Sequence, residues 1–203
     1  MSTDRINFLL DLHTTTANMG LTLLLDRDSP FNLGLAAYLI SRNPQVKVLQ
    51  SESSREKNRL RNICDLGLTL EVGAVAQGIL DATLFHQTEN LVFDILDYLE
   101  KYNQGEEIDR PEEIEIYSHW QTINYPRNDR GEIIAMIHPH LHHRDYHSLK
   151  KGEPMFVKFD GTEILYQGRS PVYPVFINES AYWEKNIAMS LTTKKKMRIV
   201  VEK

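Results

Sequence analysis

With a single cysteine, Cys64, the chain cannot build an intrachain disulfide framework. It also lacks any apolar run approaching the roughly 20 residues that span a bilayer. Its first residues carry neither an Arg/Lys-rich start nor the apolar core of a secretion signal. A reducing cytoplasm is the expected setting. Basic charge is short as well: a formal net charge of -5 leaves no cationic excess for nucleic acid or an anionic membrane, so neither is an expected partner. The one basic run, Lys194, Lys195, Lys196 and Arg198, reads as a solvated tail. No internal repeat is visible.

What is present is ordinary globular material. Hydrophobic residues at 41% and charged residues at 25% argue against disorder, and 203 residues are enough to bury a sizeable core.

The organisation changes partway along the chain. Ile6 to Leu10, Leu21 to Leu25, Val46 to Leu49 and Gly67 to Val72 are short apolar runs of strand length. Between them, Ser29 caps a predicted helix that starts at Pro30 and is closed by Pro44. A longer helix is predicted from Asp81 to Asn103, with Leu84, Leu91, Val92, Ile95, Leu96 and Leu99 on its buried face and Gly105 as its stop. The polar stretch from Glu106 to Glu113 then marks a boundary, after which the chain reads as all-β. Ile114 and Ile116, Ile133 to Ile137, Met155 to Phe159 and Val172 to Ile177 supply its strands, with turns at Gly131 and Asp160-Gly161. The expected division is 1–105, an α/β unit, and 106–203, a small β-rich domain.

Chemistry concentrates where the first strand ends, in Asp11-Leu12-His13-Thr14-Thr15-Thr16-Ala17-Asn18-Met19-Gly20. Residues i and i+2 of a strand point the same way, so Asp11 stands beside His13. An acid beside an imidazole can fix the ring for metal binding, although a lone His serves equally as a polar core residue. Glu71 ends an apolar strand, where a carboxylate is costly unless it is paired or put to use. It reads as a general base or as half of a structural ion pair.

Three separated stretches in one order resemble the aspartoacylase and aminoacylase family: the one from Asp11 to Gly20, Leu70-Glu71-Val72-Gly73 with Ala76-Gln77-Gly78, and Tyr173-Pro174-Val175-Phe176-Ile177-Asn178-Glu179. Tyr125-Pro126-Arg127, Ile137-His138-Pro139 and Pro154-Met155-Phe156 extend the likeness over nearly the whole chain. The resemblance implies a zinc-carboxypeptidase-like α/β fold, a mixed sheet with flanking helices, followed by a small all-β domain. It implies zinc as cofactor and an N-acyl amino acid as the small-molecule substrate. By position, His13 matches a zinc ligand with Asp11 behind it, Glu71 the general base, Arg61 and Tyr182 the groups that grip substrate, and Phe176 a pocket wall. Arg59 takes the place of Arg61 if the register slips by two. Phe176 and Tyr182 also suit plain β-domain core.

The sequence departs from the family in two ways. The other family zinc ligands come from an early HxxE motif, and none lies among the ten residues before Asp11. His86-Gln87-Thr88-Glu89 has that spacing but falls on the polar face of a predicted helix, and the His138, His140, His142, His143, His147 cluster reads as a solvated loop. Lys57 stands where animal aspartoacylases carry a substrate-binding tyrosine. The leading expectation is cleavage of N-acetyl-L-aspartate; deacylation of N-acyl aromatic amino acids is a second, and a non-catalytic fragment a third. With one ligand of three, the 203 residues alone are expected to hold zinc substoichiometrically and to show no amidase activity. A sheet left uncovered by early βα units would favour self-association, so a homo-oligomer is expected.

Overall fold

The structure, a computed structural model, describes residues 6–25, 29–51, 64 and 66–199. In chain order the strands are β1 (Phe8–Thr14), β2 (Gly20–Leu25), β3 (Lys47–Gln50), β4 (Leu66–Gly73), β5 (Glu113–Asn124), β6 (Ala135–Ile137), β7 (Pro154–Lys158), β8 (Glu163–Leu165), β9 (Tyr173–Val175) and β10 (Ile187–Arg198). Helix α1 (Pro30–Arg42) precedes β3, α2 (Ala82–Gln104) follows β4, and a 3-10 turn covers Ser180–Tyr182. The fold is mixed α/β with one large mixed sheet.

Both helices form where local chemistry allows. The Ser29 side chain accepts from Asn32 N, Pro30 occupies the first turn, and Asp81 caps α2 by accepting from Leu84 N. Gly105 ends α2 in the left-handed conformation at φ 69°, which glycine adopts without a Cβ penalty. Residues 31 to 39 of α1 are all buried, because the helix lies between the sheet and α2. At Gly34 an added Cβ would stand 2.7 Å from the Tyr98 hydroxyl, so only glycine lets α2 approach that closely. One expectation for α2 needs correcting: Leu96 is exposed, and the buried line is Leu91, Ile95 and Tyr98. A 3.6-residue period turns Leu96 about 100° away from Ile95.

The large sheet runs β1-β4-β2-β3-β5-β10-β9. β1 and β4 are parallel, β2 is antiparallel to β4, and β2, β3 and β5 are mutually parallel in sequence across the middle. The sheet therefore continues across the polar stretch near residue 106, through the β3–β5 pairing. Alternation gives its faces different jobs. Leu21, Leu23, Leu25, Val48, Leu68, Leu70, Ile114 and Ile116 face the helices and form the main core. Each leucine taken out of water there contributes roughly 1.5–3 kcal/mol. Leu24, Leu49 and Tyr117 face the other way, where Ala17, Met19, Val175 and Phe176 cover them. A further core lies around β6-β7-β8, with Tyr125, Leu149, Met155 and Phe156.

The expected solvated tail is exposed, but it is the C-terminal end of strand β10 and not a loose tail. Lys194 Nζ lies 2.7 Å from Glu115 Oε1 and Lys196 Nζ 2.8 Å from Glu113 Oε1, across the antiparallel pairing with β5. Alternating acids on β5 draw those lysines into register.

Candidate active site

Parallel pairing of β1 with β4 places His13 directly opposite Glu71 and Asp11 opposite Thr69. These side chains point away from the helices, since their neighbours Leu68, Leu70 and Val72 fill the helix-side core. His13 Nε2 stands 3.1 Å from Asp11 Oδ1, and its Nδ1 stands 3.6 Å from Glu71 Oε1. The Thr69 hydroxyl donates to Asp11 Oδ2 at 3.4 Å. Half of the imidazole is open to solvent while Glu71 is buried. A proton kept on Nε2 by Asp11 leaves the Nδ1 lone pair on the Glu71 side, at a separation too long for a hydrogen bond between the two.

That arrangement suits one ligand of a zinc ion with a carboxylate close by. It does not complete a site. Zinc in hydrolases uses three protein ligands and an open position, and among the described residues no group of three or more His, Cys, Asp or Glu is arranged to hold a metal. His86 and Glu89, 3.6 Å apart, are exposed on α2, and His138 lies 3.2 Å from Glu163 on the far small sheet. Arg61, Arg59 and Lys57 lie outside the described residues.

The loop after β1 is tied down by a residue that the sequence reading passed over. Glu179 is buried and its Oε2 accepts from the Thr15 hydroxyl, from Thr16 N at 2.8 Å, from the Thr16 hydroxyl at 3.0 Å and from Ala17 N at 3.1 Å. Its Oε1 accepts from Ala181 N at 3.0 Å. Burial by itself would raise this carboxyl; the donors from Thr15, Ala181, Ala17 and Thr16 outweigh it and hold the group below its ordinary value. The same loop is bound to β4: Thr15 N donates to Val72 O at 3.0 Å and Val75 N to Thr15 O at 2.9 Å. At Gly73 an added Cβ would meet Thr15 O at 2.3 Å and Ala17 O at 2.8 Å, both backbone atoms, so glycine is required for this approach. The available signal was a carboxylate ending the apolar stretch Tyr173 to Ile177.

Glu179 also brings the C-terminal aromatics to this loop. Ser180 N donates to the Thr16 hydroxyl at 2.9 Å, Phe176 N to Met19 Sδ at 3.2 Å, and the Phe176 and Tyr182 rings pack at 5.5 Å. Both aromatics therefore lie beside the His13 loop, within a cluster that includes Met19 and Tyr117.

A second buried acid joins the same elements. Asp145 accepts from Asn18 N and Ile177 N, each at 3.1 Å, while Asn18 Nδ2 donates to His143 O at 2.7 Å. Burial pushes the Asp145 carboxyl up to about 6, against the lowering effect of the Ile177 and Asn18 N–H groups. A carboxyl raised on folding holds its proton more tightly in the folded state, so its contribution to stability falls as pH rises from about 3.8 to about 6 and is constant above. The span corresponds to about 3 kcal/mol. Denaturant unfolding between pH 4 and 7 should show the wild type losing stability relative to Asp145→Asn over that window; a pH-independent difference between them would contradict this assignment.

The sheet with helices on one face, and a histidine set against a buried glutamate at paired strand ends, define a mixed α/β class of protein with a carboxylate–imidazole site. Family comparison narrows it. Residues 1–99 match the succinylglutamate desuccinylase/aspartoacylase catalytic domain, and residues 112–194 match the AstE/AspA barrel-sandwich hybrid domain. A protein from Acaryochloris marina named probable aspartoacylase is 50% identical over 189 residues, covering 93% of this chain and 64% of its own length. The Mus musculus N-acyl-aromatic-L-amino acid amidohydrolase (carboxylate-forming) is 40% identical, over 96% of this chain and 61% of its own. The crystal structure of murine aminoacylase 3 superposes with a TM-score of 0.90 at 38% identity, covering 98% of this chain and 66% of that one. The chain belongs to the aspartoacylase and aminoacylase family. It spans a little under two thirds of the length of such relatives.

Proposed function

We propose that these residues are part of a zinc-dependent amidohydrolase that cleaves N-acetyl-L-aspartate to acetate and L-aspartate. The observation that carries it is the His13 imidazole held 3.6 Å from the buried Glu71 carboxylate. Zinc, when bound, would polarise the amide and lower the pKa of a water to about 7. His13 supplies one ligand through Nδ1, oriented by Asp11 at Nε2. Glu71 takes the proton of the water that attacks the carbonyl and passes it to the departing amine, so the C–N bond breaks with a neutral amino group leaving. Arg61 and Tyr182 hold the substrate carboxylate, and Phe176 is an apolar wall of the pocket.

The matches to 1–99 and 112–194 support a division near residue 106 into a catalytic unit and a second unit that narrows access. A cytoplasmic homo-oligomer with no nucleic-acid or membrane partner belongs to the same reading. Among the described residues no helix is long and apolar enough to cross a membrane; the exposed apolar stripe of Leu80, Phe85, Phe93 and Leu96 on and before α2 supports self-association.

The murine amidohydrolase keeps the aromatic-substrate reading in play. Hydrolysis of N-acetyl-L-aspartate and N-acetyl-L-tyrosine separates the two. The assay uses the 203 residues with zinc, alone and with the HxxE-bearing segment of a relative fused ahead of residue 1. Activity only in the fusion, and on the aspartate substrate, is expected. Preference for the tyrosine substrate would replace the first reading with the second, and no zinc-dependent turnover in the fusion would overturn both.

A further inference from the structure

His13, Glu71, Thr22 and Lys47 follow one another across β1, β4, β2 and β3 in one row of the sheet. Three inter-strand steps of about 4.8 Å put Lys47 roughly 14 Å from His13. At the Lys47 end lies a cavity of about 320 Å³, within the size range of small-molecule sites. None of His13, Glu71, Phe176 and Tyr182 lines it.

Tyr146 links the cavity to this row of the sheet. It lines the cavity and bonds through its hydroxyl to the Thr22 hydroxyl at 2.8 Å. Thr22 gives its own proton to Met19 O at 2.8 Å, so Tyr146 is the donor to Thr22. Its ring and that of Tyr117, 4.6 Å apart, make an aromatic wall with Met19 beside them.

The charges at this cavity are unequal in what they still need. Both Asp145 oxygens already accept backbone N–H groups. Lys47 is half-buried at the cavity and has no ion-pair partner among the described residues. A half-buried ammonium with no ion pair among the described residues, beside aromatic walls, favours an anion with an apolar body. One negative charge suffices; a doubly charged phosphate would bring its second charge toward Asp145.

We propose that this cavity binds a small organic monocarboxylate, with its carboxylate on Lys47 and its body against Tyr117 and Tyr146. The test is calorimetric and NMR titration of the full 203-residue chain with benzoate, acetate and inorganic phosphate at constant ionic strength. Benzoate is expected to saturate with a Kd on the order of 1 mM, with acetate and phosphate weaker. Lys47→Gln should weaken benzoate roughly tenfold or more through loss of a charged contact, Lys47→Arg should retain it, and Glu71→Gln should leave it unchanged. Absence of saturation by benzoate, equal affinity in Lys47→Gln, or loss of binding in Glu71→Gln alone would each overturn the proposal. The amidase reading does not involve Lys47 and stands or falls separately.

Discussion

Glu71→Gln is expected to lower the rate of amide hydrolysis by about 10²–10⁴-fold in the zinc-loaded fusion, with zinc content unchanged. Glutamine keeps the size and the place of the side chain opposite His13 but cannot accept and return a proton. Glu71 is 8% exposed, so neutralising it also removes the cost of holding a charge in the sheet interior. The melting temperature should therefore hold or rise while kcat falls. That opposition separates a proton carrier from a structural ion pair, whose loss would lower both. Full activity in the variant would remove Glu71 from the chemistry.

The second large effect is on stability. Glu179→Ala leaves the N–H groups of Thr16, Ala17 and Ala181 and the hydroxyl of Thr15 without their acceptor. At about 1–3 kcal/mol for an abandoned buried group, and allowing for relaxation toward water, a loss of about 3–5 kcal/mol is expected. In a chain of this size that is a fall of roughly 10 °C in melting temperature. Activity of the fusion should fall as well, because the loop that leaves His13 and the segment that carries Phe176 and Tyr182 lose their common anchor. Glu179→Gln, with one carbonyl oxygen left to accept, should lie between alanine and wild type. The folded carboxyl is held low, so its stabilisation is present above the unfolded pKa and is lost as pH falls through the folded one. A melting temperature unchanged in Glu179→Ala would show that the loop is held by other means.

How far the sequence reaches can be judged from particular residues. The caps at Ser29 and Asp81 and the glycine stop at Gly105 were legible, because each depends on atoms within one helical turn. Leu96 was misplaced because an apolar residue one step from Ile95 satisfies a loose count of periodicity while pointing elsewhere. The basic run of β10 looked like a tail because its partners, Glu113 and Glu115, are some eighty residues away in the chain and adjacent only through antiparallel pairing. His13 and Glu71 could be named from motif resemblance, but their 3.6 Å approach follows from a parallel register that no local pattern encodes.

The sequence alone determined where helices begin and stop, which strands are apolar enough to be buried, and which residues carry usable chemistry, since propensity, capping and burial cost act over a few neighbouring positions. Only the tertiary structure decided which of those residues meet. Glu179 reaches Thr15 across 164 residues, and Asp145 joins Asn18 to Ile177. Such contacts form when the sheet brings distant strand ends to one edge, where hydrogen bonds unavailable to water must be made within the chain.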